Sequence, residues 1–241
     1  LDYLSRRRAF APFITPNLLA GYLAMSLFIG GGVLLEKINN KKKDFAFFIS
    51  STCVIICLIT LFFTKSVGGW GTLLLSFLLI SLLTGKLNKK IIGILIVMSA
   101  LFIAIFAIRT NTTAAANKPV FSIQKRISYW KDTAKIIKAK PITGTGPGNF
   151  IIKDTLSAHN SYLQIWAEMG ILGLAGWLGM LFIFLKNAVK KIRPGKGGFY
   201  LSGLLGAGLV FILHNLFDFP FFVPQASFLW WTLLALTDGK K

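Results

Sequence analysis

Acidic residues are scarce in this sequence. Eight aspartates and glutamates stand against 27 lysines and arginines in 241 residues, a formal net charge of +19. In a soluble protein that balance would suggest nucleic acid, but the apolar content described below argues against it. Cysteine is almost absent. Cys53 and Cys57 lie four apart inside one apolar run that offers no partner for zinc or a disulfide, so they read as small packing residues. Signal-peptide features are missing too. The first residue is Leu1, and the first apolar run starts near Asn17, after Arg6, Arg7 and Arg8. The expectation from this is the C-terminal part of a longer chain, with earlier spans preceding it.

What is abundant is hydrophobicity. Apolar residues make up 54% of the chain, charged residues only 15%, and the mean hydropathy is +0.67. A soluble domain of this size could not bury that much apolar surface. The charges fall between the apolar runs, as they do in loops between membrane spans. The expected fold is therefore all-α: one polytopic transmembrane domain over 1–241, with about seven spans. These are read at 17–36, 45–64, 71–84, 91–108, 162–185, 199–217 and 226–238, the third and seventh being short for a bilayer core of about 30 Å. Fourteen of the 27 basic residues lie in four stretches: Lys37 to Lys43, Lys86 to Lys90, Lys186 to Lys196, and Lys240–Lys241. The positive-inside rule puts these stretches and the C-terminus in the cytoplasm, and residues 1–16 and 109–160 outside.

The outer segment 109–160 departs from this trend. It holds nine basic residues and only two acids, Asp132 and Asp154. Long loops cross a membrane largely regardless of charge. The charge itself reads either as a solvated surface or as a site for an anion, and Arg6–Arg8 on the same face favour the anion. Residues 109–124 read as a flexible lead-in. From Arg126 to Lys138, Ile127, Trp130, Ala134 and Ile137 recur at helical spacing opposite Lys131, Asp132, Lys135 and Lys138. That pattern describes a short amphipathic helix at the membrane interface, ended by Pro141. Gly144, Gly146 and Gly148 then alternate. Such a run can present backbone N–H groups to a phosphate or sugar, or can simply be a turn cluster.

His159, the only histidine expected in the loops, is either a polar cap or a general base. Glu168 lies nine residues on, on the opposite helix face, so the two should not form a dyad. A carboxylate there should face protein or water. Gly170, Gly173, Gly176 and Gly179 form a stripe expected to let another helix approach. His214 and Asp218, at i and i+4, read as a hydrogen-bonded pair or a proton-handling one.

Several of these segments together resemble the O-antigen ligase and polymerase family of bacterial envelope glycan enzymes. His159-Asn160, nine residues, then Gly170-x-x-Gly173 is similar to that family's His-containing motif. Arg126-x-x-x-Trp130, followed by Pro141 and the glycine run to Phe150, is similar to its outer-loop pattern. Phe13 to Ala20 and His214 to Pro220 resemble its segments before and after, in the same order along nearly the whole chain. One departure stands out. The family commonly carries Ser-Arg-Gly before the third span here, but this chain reads Thr64-Lys65-Ser66-Val67-Gly68, with Val67 at the arginine position.

The resemblance implies a glycan donor on undecaprenyl diphosphate. It also implies an acceptor hydroxyl on a glycan, lipid A-core or protein, and a site at the outer face of a bacterial inner membrane. It implies Arg126 on the diphosphate and His159 as base. Lys65 and Arg8 would supplement the positive charge. Trp130, Gly144, Gly146, Gly148, Asn160 and Glu168 would contact substrate. No cofactor is implied. No metal is implied either, because the outer carboxylates are isolated. Two other classes stay open: a transporter of a small anion such as bicarbonate, and a non-catalytic relative.

Overall fold

The computed structural model describes residues 8–85, 89–111, 118–153, 155–192 and 198–238. Among these the chain forms helices α1 (Pro16–Asn39), α2 (Phe45–Thr64), α3 (Val67–Leu83), α4 (Lys89–Thr110), α5 (Pro119–Ala139), α6 (Ser161–Lys191), α7 (Phe199–His214) and α8 (Pro224–Asp238). A single 3-10 turn, Pro220–Phe222, precedes α8. This is an all-α membrane protein, and each expected span contains a helix. Four helices, α1, α2, α4 and α6, are long and apolar enough to cross a bilayer. The helices α3, α7 and α8 have 17, 16 and 15 residues. At 1.5 Å per residue they reach about 23–26 Å. The sixth span, read to 217, stops at His214 because the chain then turns sharply toward the 3-10 turn.

Local chemistry starts these helices. Thr15, Asp44, Ser66 and Asn160 each place a side-chain oxygen on an amide of the first turn, of α1, α2, α3 and α6 respectively. Pro16 and Pro119 occupy first-turn positions where no N–H is needed. The latter starts α5 seven residues before the sequence pattern does. The supposed lead-in is therefore partly helix: Arg109 and Thr110 end α4, and α5 begins at Pro119. Residues 112–117 lie outside the described residues.

The centre of the bundle is α7, buried from Gly203 to Phe211. Its glycines set the spacing. A Cβ on Gly203 would lie 2.5 Å from the Phe28 carbonyl oxygen of α1; one on Gly206 would enter the Phe28 ring, and one on Gly208 the Phe184 ring of α6. The sequence pattern had pointed instead to the Gly170–Gly179 stripe. Gly176 and Gly179 have nothing within 4 Å, and Gly170 interrupts its helix. Trp177, Phe184, Phe211 and Trp230 lock α6, α7 and α8 together, with Phe211 stacked on Trp230 at 4.7 Å. By contrast α2 and α4 expose most of their apolar side chains, Ile55, Ile56, Ile96 and Ile103 among them. In lipid such surface needs no cover, since each helix satisfies its own backbone.

Candidate active site

The site lies at the end of the bundle where α1, α3 and α6 begin and α2, α4 and α7 finish. Two local devices build it. The first is a break in α6 at Gly170, whose φ of +66° and ψ of −172° suit only glycine. A helix break frees backbone groups, and here the segment after α5 takes them up. Thr145 N–H donates to Ala167 O at 2.9 Å, and Gly146 N–H to Glu168 O at 2.8 Å. Ile171 N–H donates to Pro141 O at 3.0 Å. Buried Glu168 completes the seam by accepting from Gly148 N–H at 2.8 Å and Gln164 Nε2 at 2.9 Å. The seam ties α5 to α6 over a small core of Ile137, Phe150, Ile152, Ala158 and Ala167.

The second device docks the start of α6 on the end of α7. Asn160 caps α6 through its Oδ1, and its Nδ2 donates to Leu216 O at 3.1 Å. Ser161 N–H donates to Asn215 O at 2.9 Å. Fully buried Asn215 shapes the turn by donating to Phe211 O and accepting from Phe221 N–H. This contact sets His159 beside Asp218, 59 residues away in sequence. His159 Nδ1 and Asp218 Oδ1 are 3.1 Å apart, and Arg126 NH2 lies 3.5 Å from Asp218 Oδ2. The Asp218 side chain is 1% exposed, that of His159 22% and that of Arg126 16%. The His159 ring stacks on Tyr129 and meets the edge of Phe219. Its backbone sits at φ +47°, a left-handed conformation for a residue with a side chain, held by these contacts.

Burial alone would push the Asp218 carboxyl up. The hydrogen bond from His159, with the positive charges of His159 and Arg126, outweighs burial and holds it down at about 2. Asp218 is thus an ionised acceptor. The Nδ1 facing it must donate, so a neutral His159 carries its lone pair on Nε2. Among the described residues no protein hydrogen bond reaches that Nε2.

Next to this group lies a cavity of about 180 Å³. Arg8, Arg109, Lys125, Arg126, His159 and Tyr129 line it, with Asn17 and the start of α1. Drug-sized pockets run to about 300–1,000 Å³, so this one suits a compact anionic group better than a whole glycan. Arg8 Nε donates to Thr64 O at 2.8 Å, and Arg109 NH1 to Lys65 O at 3.3 Å.

Of the residues singled out by sequence, Arg8, Arg126 and His159 meet at this cavity. The others do not. The N–H groups of Gly144, Gly146 and Gly148 go to Lys140 O, Glu168 O and Glu168 Oε2, so all three are engaged within the protein, the last two in the seam. Glu168 and Asn160 use their side-chain oxygens and amide inside the protein, as described. Lys65 forms a left-handed turn between α2 and α3, and its carbonyl accepts Arg109. Trp130 is half-buried away from the cavity, its Nε1 without a partner. The His214–Asp218 side-chain pair does not form: His214 Nε2 meets Asn17 O at 3.0 Å and its Nδ1 faces Thr72 Oγ1 at 3.4 Å. Sequence reasoning missed Asp218 as the partner of His159 and Arg109 as a cavity residue. Finding Asp218 required the α6–α7 contact. Arg109 was one loop charge among nine, with nothing in its neighbours to set it apart.

Comparison with known proteins identifies the family. The family described as O-antigen ligase matches residues 52–178, more than half of the chain, from α2 into α6. An O-antigen ligase of Salmonella typhimurium is 27% identical over 166 residues, covering 57% of this chain and 39% of the relative. A Haemophilus influenzae protein described as uncharacterized is 25% identical over 217 residues, covering 72% of this chain and 52% of the relative. The chain thus spans about half the length, or less, of these curated relatives. No solved structure gives a significant match.

Proposed function

The chain belongs to the O-antigen ligase family, and on that premise we propose that it transfers a glycan from an undecaprenyl-diphosphate-linked donor to an acceptor hydroxyl. The acceptor is a lipid A-core, a growing polysaccharide or a protein. The reaction takes place at the outer face of a bacterial inner membrane, with the four basic stretches in the cytoplasm.

The observation that carries this reading is the pairing of His159 with a buried carboxylate at the wall of a cationic cavity. In the proposed step the acceptor oxygen attacks the anomeric carbon and the bond from that carbon to the phosphate oxygen breaks. The acceptor proton passes to His159 Nε2, and undecaprenyl diphosphate departs. Asp218 keeps Nδ1 protonated and stabilises the imidazolium that forms, which is how a carboxylate supports a histidine base. Arg126 faces the leaving phosphate. Its guanidinium has further N–H groups besides the one near Asp218, and positive charge there favours the transition state over the ground state. These cations meet the charge demand, so transfer is expected to continue in EDTA without added magnesium.

The transporter reading has one point in its favour, the broken helix α6, since transporters expose such breaks to ions. Here the freed groups are bonded to Pro141–Gly148, which removes that argument.

The test is reconstitution of the full-length protein in proteoliposomes with a lipid-diphosphate-linked glycan and an acceptor. The expected result is one undecaprenyl diphosphate released per glycan transferred. Anion flux with no donor present, and no transfer when it is, would overturn the proposal.

A further inference from the structure

We infer that Arg109 binds the lipid-side phosphate of the donor diphosphate, with Arg8 beside it, while Arg126 and His159 face the sugar-side phosphate. This rests on the diphosphate-donor reading above.

Arg109 is the penultimate residue of α4, a mostly apolar helix turned toward lipid. A charged side chain at the edge of a span is costly unless protein or water receives it. A cation at a helix C-terminus is also favoured by the helix dipole, but that effect asks only for a solvated side chain. Arg109 is instead 8% exposed and reaches across to the α2–α3 turn, where NH1 meets Lys65 O. Arg8 meets the preceding carbonyl, that of Thr64. Two guanidinium groups are therefore anchored on consecutive peptide oxygens, and both line the same cavity. Lys125 and Arg126 line the same cavity, and four cationic side chains around one small space make it complementary to a compact polyanion.

The assignment of sides follows from where each arginine is mounted. Arg109 comes from a spanning helix, and Arg126 from α5 beyond it. A lipid-linked diphosphate enters with its hydrocarbon in the bilayer, so the phosphate bearing the lipid lies nearer α4. Arg126 shares Asp218 with His159, so its charge belongs to the reacting end, where the glycosyl bond breaks. This arrangement also gives Lys65 a role other than direct substrate contact: its carbonyl holds Arg109 in place.

The test uses the full-length protein in nanodiscs and inorganic pyrophosphate as the probe. Binding is measured by calorimetry for wild type, Arg109→Gln, Arg109→Lys and Lys138→Gln, the last a loss of charge on the exposed side of α5. Thermal unfolding establishes the folded fraction of each. We expect Arg109→Gln to weaken pyrophosphate binding at least tenfold, Arg109→Lys to recover part of it, and Lys138→Gln to bind as wild type does. In transfer assays Arg109→Gln should raise the donor KM about tenfold and change kcat much less. Should Arg109→Gln fail to fold, Arg109→Lys carries the test through a KM increase at unchanged kcat. Wild-type binding by both Arg109 variants, or no binding by wild type itself, overturns the inference. Transfer by wild type that is indifferent to Arg109 sinks this inference alone. Arg109-dependent pyrophosphate binding without any glycan transfer sinks the donor reading and leaves the anion site standing.

Discussion

At the residue scale, the proposed chemistry turns on which nitrogen of His159 carries the proton. Asp218 decides this because it is buried, ionised and able only to accept. Asp218→Asn keeps the shape but presents an amide that can donate to Nδ1, which reverses the tautomer. We expect kcat to fall about 100-fold or more, with donor KM little changed. A loss confined to KM would show that Asp218 serves binding instead. The same carboxylate gives a pH signature. Its folded-state value of about 2 lies below the ordinary 3.8, so the unfolded chain takes up the proton first. The stability it contributes, about 2 kcal/mol, is present above pH 4 and lost as pH falls from about 4 to 2. Thermal unfolding of wild type against Asp218→Asn should therefore show a gap at pH 4 that narrows as pH falls toward 2. Part of this site was legible in the sequence. Arg126 and His159 stood out by residue type and by motif. Asp218 stood out only as the i+4 neighbour of His214, because its true partner comes from another helix and a turn no local pattern announces.

At the scale of elements, the joint between α5 and α6 is what aims Arg126 and His159 at one cavity. Gly170 has no room for a side chain: a Cβ would enter the Ile142 carbonyl, in a backbone conformation open only to glycine. Gly170→Ala should cost about 3 kcal/mol or more, and should loosen α5 before it unfolds the bundle. Hydrogen exchange of α5 amides measures that. Glu168→Gln should be milder, about 1–2 kcal/mol, because one of its two accepting oxygens becomes a donor facing Gly148 N–H or Gln164 Nε2. Glycine motifs thus carried real information: the alternating glycines read as a phosphate cradle or as a turn cluster, and the N–H groups of Gly146 and Gly148 are bonded in the seam of a broken helix. Helical periodicity in α5 was visible from Arg126 onward. Its first turns were not, because Pro119-Val-Phe-Ser follows a polar stretch and has no repeat long enough to register.

At the scale of the molecule, hydropathy and charge segregation were enough to anticipate an all-helical membrane protein, since lipid permits little else. They could not reveal which helix lies at the centre. That depends on glycines of α7 matched to side chains of α1 and α6, a relation between distant segments. Gly206→Leu should lower the unfolding temperature in detergent markedly, an overpacking cost of about 1–3 kcal/mol. Gly31→Ala, where an added Cβ would have nothing within 4 Å, should be close to neutral. Equal effects would place the tight contact elsewhere. The proposed sidedness is testable with single cysteines in a background lacking Cys53 and Cys57. Ser122→Cys should react with an impermeant maleimide added outside intact cells, and Lys42→Cys only after permeabilisation.

The most direct measurement is glycan transfer by full-length His159→Ala in proteoliposomes, with donor binding measured in parallel. The account predicts a fall in transfer of at least about 100-fold with donor binding retained, since the cationic wall is untouched. Near-normal transfer by that variant would contradict it.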